Sequence, residues 1–314
     1  MAFRRARLMM VVLLGAGLLA AHGLEAMPGL SLRSAAALVE DQGTGELLLQ
    51  KHPDQAVPIA SITKLMTAMV MIDAQQDMQE PVTILEEDKD ILRHSRSRLP
   101  VGTTLTRNDT LLVALMASEN RAAHALGRTY PGGVAACVAA MNLKAANLGL
   151  TTAHFDDPTG LSSGNVASAK DLARIVDQAH HYPLIRTCTT QEETTIQGRF
   201  HPIAFHNTNR LLQSSRWRIG LSKTGFIDQS GECLVMQAEL KQRPVLIVLL
   251  DSTGRGARFG DADRIRQWME GADPVVRVAR VAKVRRASKL VRVAKITRVA
   301  RLARLRKPHR HPQA

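Results

Sequence analysis

Strand-like runs stand at the two ends of the body of this chain, and helix-like runs fill the middle. Residues 35–39 and 46–50 are apolar-rich and flank Gln42-Gly43-Thr44-Gly45, whose glycines suit the tight turn of a hairpin over residues 34–51. Near the other end, residues 217–227, 232–240 and 244–251 read as three strands, the last two joined by the short polar loop Lys241-Gln242-Arg243. From Ser61 to about Tyr182 the pattern is helical, punctuated by Pro81, Pro100-Val101-Gly102 and Pro131-Gly132-Gly133. Residues 261–271 read as a closing helix with Ile265, Trp268 and Met269 on one face. Strands separated in this way bury their edges by pairing in one sheet. The expected fold is therefore mixed α/β (α+β), an antiparallel sheet of N- and C-terminal strands packed with a helical region.

Charge divides the chain more sharply than hydropathy does. The formal net charge is +14, but residues 1–274 hold 28 Lys and Arg against 28 Asp and Glu, and residues 275–314 hold the other 14 Lys and Arg with no acid. The body is neutral, so the basicity is no sign of a nucleic-acid-binding domain. Ten aromatic residues in 314 also leave little for base or sugar stacking, and no nucleic acid is expected as a partner. The first residues read as a signal peptide over 1–23: Arg4, Arg5 and Arg7 precede an uncharged run from Leu8 to Ala21, with a cut after Gly23 or at Ala26. An exported, periplasmic protein is expected. Cys137, Cys188 and Cys233 are too few and too far apart for a disulfide framework. With no CxxC or HExxH, scattered histidines and only the isolated doublet His180-His181, neither metal nor cofactor is expected.

The tail over residues 275–314 is built from triplets. From Val275 to Lys307 they run apolar, mostly small, basic, as in Val278-Ala279-Arg280 and Val293-Ala294-Lys295. A period of three fits neither helix nor strand, so on an α-helix the basic row winds around the axis. The repelling charges predict a largely unfolded segment in water, either a solvated tail without a partner or an anchor that orders on an anionic membrane or envelope polymer.

Three short elements carry the chemistry. Ser61-Ile62-Thr63-Lys64 places a lysine three residues after a serine at a helix start, on the same helical face. A serine hydroxyl needs a base, and a lysine made neutral by burial or by a second cation can serve. Ser118-Glu119-Asn120 interrupts the apolar stretch 112–126, either as polar groups partnered by a site or as helix-terminus residues. Lys223-Thr224-Gly225 lies on a predicted strand, where the glycine allows a substrate backbone to approach a cation and a hydroxyl. In this order the three form the set common to penicillin-binding proteins and class A β-lactamases.

Beyond these elements, Asp157-Pro158-Thr159-Gly160-Leu161, Asn165, Ser168-Ala169-Lys170-Asp171-Leu172 and His206-Asn207-Thr208-Asn209-Arg210-Leu211-Leu212 extend the likeness. Together with Ser222-Lys223-Thr224-Gly225-Phe226-Ile227, residues 34–271 resemble the low-molecular-mass penicillin-binding proteins. These are the serine DD-peptidases, and the likeness is to the D-alanyl-D-alanine endopeptidase branch typified by penicillin-binding protein 7. The resemblance implies a β-lactamase/transpeptidase-like catalytic domain over residues 31–271. It also implies peptidoglycan peptides as substrate and β-lactams as covalent inhibitors. Ser61 is then the nucleophile, Lys64 its base, Ser118 a proton relay, and Asn120 the holder of Lys64 and a substrate amide. Lys223 and Thr224 bind a substrate carboxylate beside Gly225, and the backbone N–H groups of Ser61 and Phe226 form the oxyanion hole. Glu119 receives no role.

Three rival readings remain at this stage. A D-Ala-D-Ala carboxypeptidase shares every motif. A class A β-lactamase needs a deacylating glutamate, which Thr152-Ala153-His154-Phe155-Asp156-Asp157-Pro158 does not supply. A non-catalytic wall-binding protein has no use for three intact motifs.

Overall fold

The computed structural model describes residues 30–271. The expected signal peptide and the triplet tail lie outside the described residues. Five strands form one antiparallel sheet: β1 (Ser34–Asp41), β2 (Leu47–Lys51), β9 (Arg218–Ile227), β10 (Gly231–Leu240) and β11 (Arg243–Ser252), in the order β2-β1-β11-β10-β9. The two ends of the body meet where β1 pairs β11, with Leu38 opposite Val248 and Val39 opposite Ile247. The expected sheet of N- and C-terminal strands is therefore the one found.

Its central strands read as near-continuous apolar runs because both faces are covered. Side chains alternate between faces. Leu38, Val235, Leu246, Val248 and Leu250 join the core shared with the helices, while Val39, Leu234, Met236, Ile247 and Leu249 face the other way. That second face is covered by α7 (Ala257–Met269) through Phe259, Ala262, Ile265 and Met269. The closing helix thus begins four residues earlier than its sequence suggests. Phe259, rather than Trp268, completes its apolar stripe at positions spaced three and four apart.

The middle is less helical than expected. Its helices are α1 (Lys64–Asp73), α2 (Arg107–Met116), α3 (Asn120–Arg128), α4 (Gly133–Asn147), α5 (Ala169–His180) and α6 (Pro183–Thr190). Three small two-stranded ladders accompany them. β3 (Val57–Pro58) pairs β6 (Val166–Ala167), β4 (Pro81–Thr83) pairs β5 (Thr104–Thr106), and β7 (Glu193–Gln197) pairs β8 (Pro202–His206). Between β4 and β5 the chain makes a long loop with one 3-10 turn, Glu86–Asp88, instead of an α-helix. Asp90 accepts the N–H groups of Leu92, Arg93 and Ser95, and buried Asp88 accepts Leu85 N–H and the Arg128 guanidinium. Such carboxylate-capped turns satisfy the backbone locally, which removes the need for a helix.

Cys137, Cys188 and Cys233 are free and buried. Burial pushes their thiols up to about 12, about 12 and about 11, so they pack as small apolar groups. Among the described residues no helix is long and apolar enough to cross a membrane, and no group of acidic, histidine or cysteine side chains could hold a metal ion.

Candidate active site

The serine of the first motif sits in a single 3-10 turn, Ala60–Thr63, that runs directly into α1, whose first residue is Lys64. Ala60 has φ of +47°, a left-handed conformation that turns the chain sharply before Ser61. Two glycines clamp this turn. A Cβ on Gly160 would overlap the Ala60 carbonyl and stand 2.9 Å from Ser61 N, and a Cβ on Gly225 of β9 would stand 2.8 Å from the Ile59 carbonyl. Gly225 therefore brings the edge strand against the serine, as its place beside Lys223 and Thr224 predicted.

Lys64 is buried and has three partners. Its Nζ lies 2.8 Å from Ser61 Oγ, 2.8 Å from Asn120 Oδ1 and 2.6 Å from the Thr159 carbonyl. The amide oxygen and the carbonyl can only accept, so a neutral amine spends its two N–H groups on them. Its lone pair then faces the Ser61 hydroxyl, which alone of the three can donate. Burial lowers the Lys64 pKa to about 7, against the opposing charges of Asp157 and Glu119. An amine with this pKa is largely unprotonated just above neutral pH, within reach of the Ser61 hydroxyl.

Lys223 is also fully buried, its Nζ donating to Ser118 Oγ at 2.9 Å and to the Thr224 carbonyl at 3.0 Å. Burial, then the charges of Lys64 and Arg258, hold its pKa well below that of an ordinary lysine. Ser118, at φ +60°, lies in the break between α2 and α3, and Glu119 caps α3. The two readings of this motif coincide: its residues end helices and also meet the buried lysines. Thr224 Oγ1 donates to Thr208 Oγ1 at 2.6 Å. Phe226 follows on the same strand with its side chain exposed. Seven of the eight expected residues therefore bring side chains or close backbone contacts into one cleft, and Phe226 adjoins them on β9.

Several supporting residues carried no assigned role in the sequence. Asp157 accepts the N–H groups of Thr159, Gly160 and Ser162, which fixes the Thr159 carbonyl on Lys64. Buried Asn165 donates to Thr63 Oγ1 and accepts from Asp156 N–H, fastening the same loop beneath the nucleophile's turn. Both belong to segments that carried the family likeness, which was their only signal. Ser95 accepts from Asn120 Nδ2 at 2.9 Å, orienting the amide so that its oxygen meets Lys64. Arg258 donates to the Gly225 carbonyl at 2.8 Å and lies over the Phe259 ring. Glu119, left without a role, accepts from Arg98 N–H and Arg121 N–H and so ties the long loop to α3.

Comparison with known proteins agrees with this geometry. The chain matches the D-alanyl-D-alanine carboxypeptidase family over residues 23–254. It is 44% identical to the D-alanyl-D-alanine endopeptidase of Pseudomonas aeruginosa, over 85% of this chain and 89% of that one. To the D-alanyl-D-alanine endopeptidase of Escherichia coli K12 it is 41% identical, over 76% and 78%. Among solved structures, the Streptomyces K15 DD-transpeptidase superposes with a TM-score of 0.71 at 28% identity, covering 77% of this chain and 98% of its own. A match over most of the body, together with a buried Ser-Lys pair in the fold of a DD-transpeptidase, means that the chain belongs to the D-alanyl-D-alanine carboxypeptidase family of serine DD-peptidases.

Proposed function

We propose that this protein cleaves D-alanyl peptide bonds in the cross-links of peptidoglycan through an acyl-Ser61 intermediate, and that penicillin acylates the same serine. The observation that carries the reading is the buried Lys64 amine, whose Nζ lies 2.8 Å from Ser61 Oγ and whose pKa burial lowers to about 7. Ser61 Oγ attacks the D-alanyl carbonyl as Lys64 takes its proton. The backbone N–H groups of Ser61 and Phe226 receive the oxyanion, a contribution of about 3–4 kcal/mol per donor in comparable sites. The C–N bond then breaks, and the leaving amine takes a proton through Ser118, which Lys223 holds in place. Water adds to the ester as Lys64 accepts its proton, and the Ser61–acyl bond breaks with that proton passed to Ser61 Oγ, releasing the shortened peptide as its carboxylic acid. Lys223 and Thr224 hold the carboxylate of the leaving residue.

The family description names carboxypeptidases, whereas the relatives at 44% and 41% identity are endopeptidases, which favours cross-links as the substrate. Asp157 and Glu119, whose charges reach Lys64, are both committed to backbone N–H groups. Neither is offered as a base for water, in keeping with slow release of a bound penicillin. Digestion of purified cross-linked muropeptides, with products identified by mass, tests the proposal. Wild-type protein yields monomers, and Ser61→Ala yields none and takes no covalent penicillin. Monomers or labelling from the variant contradict the assignment.

The leading residues support export, and the tail supports retention on a polyanionic surface. Deleting residues 275–314 is expected to leave cleavage of soluble muropeptides within about twofold while abolishing salt-sensitive binding to anionic vesicles or cell walls. Equal, salt-independent retention of both forms contradicts the anchor.

A further inference from the structure

A pocket of about 210 Å³, unused by the mechanism above, borders Ser118 and Asn120. Arg96 and Arg98 from the β4–β5 loop line it together with Phe205, His206 and Thr208. Its charge is unbalanced. Arg98 donates to the Ala204 carbonyl at 2.8 Å and its guanidinium lies 5.9 Å from the centre of the Phe205 ring. Among the described residues neither Arg96 nor Arg98 has a carboxylate within ion-pair distance. Glu119, the carboxylate in the lining, is buried and engaged by the N–H groups of Arg98 and Arg121. His206 Nδ1 lies 3.4 Å from the Glu193 carboxylate. Two exposed guanidiniums beside a polar cavity form a receptor for carboxylates.

The pocket's neighbours fix which part of a substrate it meets. Ser118 serves the leaving amine, and Thr208 holds Thr224, which with Lys223 binds the leaving residue's carboxylate. A pocket bordered by Ser118 and Thr208 receives what that leaving residue carries beyond its own carboxylate. In a carboxypeptidase reaction the leaving group is one amino acid, with nothing left to enter. In cross-link cleavage it is a second stem peptide, which bears further free carboxylates. We infer that Arg96 and Arg98 form a subsite for a carboxylate of the departing stem peptide, so that this pocket selects cross-linked over single-stem substrates. The inference rests on the DD-peptidase reading and adds a specificity determinant to it.

The test compares kcat/KM for a cross-linked muropeptide dimer and for a monomeric pentapeptide, in wild type and in Arg96→Gln/Arg98→Gln. The expected result is a fall of at least tenfold in the dimer-to-monomer ratio, carried by KM for the dimer. The wild-type dimer KM should also rise with salt more steeply than the monomer KM. Penicillin labelling checks that each variant is folded. If the double variant does not label, Arg96→Glu replaces it, since Arg96 has no protein partner among the described residues to lose. An unchanged ratio, or an equal loss on both substrates, overturns the subsite and leaves the DD-peptidase reading standing. Wild-type protein that takes penicillin and trims the monomer but leaves the dimer intact overturns the subsite and the endopeptidase reading together.

Discussion

The interior on the α7 side of the sheet and the interior at its β9 edge are opposite in kind. Under α7, Val39, Met236, Ile247 and Leu249 meet Phe259, Ala262 and Ile265, and apolar side chains contact one another. At the β9 edge, Lys64 and Lys223 are just as buried, and their direct partners are neutral oxygens. The first region stabilises the fold by removing apolar surface from water. The second opposes it: holding Lys64 near 7 instead of 10.5 disfavours its charged form by about 5 kcal/mol. The difference shows where this chain makes its stability and where it spends it. Packing distant from the site offsets the cost of burying two amines, and burial lowers the pKa of one of them to about 7.

The largest expected effect that separates the two regions comes from Gly160→Ala. Its Cβ meets backbone at Ala60 and Ser61, and the φ of +83° is itself unfavourable for alanine. Displacement of the Ser61 turn should lower the rate of penicillin acylation by about 100-fold or more, in line with the cost of misplaced catalytic groups. A variant that stays folded and acylates at the wild-type rate breaks the claim that this contact sets the nucleophile. Ile247→Ala acts on the other region. It should cost about 2–5 kcal/mol in denaturant unfolding, with the acylation rate per folded molecule within about twofold of wild type. If acylation falls in step with stability, the two interiors are not separable. The smallest effect belongs to Gly45→Ala, at a similar φ of +73° but with open space around it, for which about 1 kcal/mol and no change in acylation are expected.

The same contrast explains what could be read from sequence. The sheet is legible because its central strands are apolar on both faces and bounded by turn residues. Ser61 and Lys64 were legible because a spacing of three puts them on one helical face. Lys223 and Ser118 gained meaning only in combination with that pair. Thr159 escaped notice as a ligand of Lys64 because it acts through its carbonyl, a group that every residue possesses. Ser95 and Arg258 reach the site only through tertiary contacts, so no local pattern marks them. The β4–β5 region reads as helical because nothing local marks Asp88 and Asp90 as caps of a long loop. The sequence pattern puts Trp268 on the buried stripe because it starts the closing helix four residues late and leaves Phe259 outside it.

The central claim is that burial makes Lys64 the neutral base for Ser61. The direct measurement is the second-order rate of Ser61 acylation by a penicillin from pH 5 to 10.5. Because the unprotonated amine is the active form and its pKa is about 7, the rate should be low at pH 5, rise through about 7, and level off above pH 8. A rate that keeps climbing past pH 10, as an ordinary lysine demands, would contradict it.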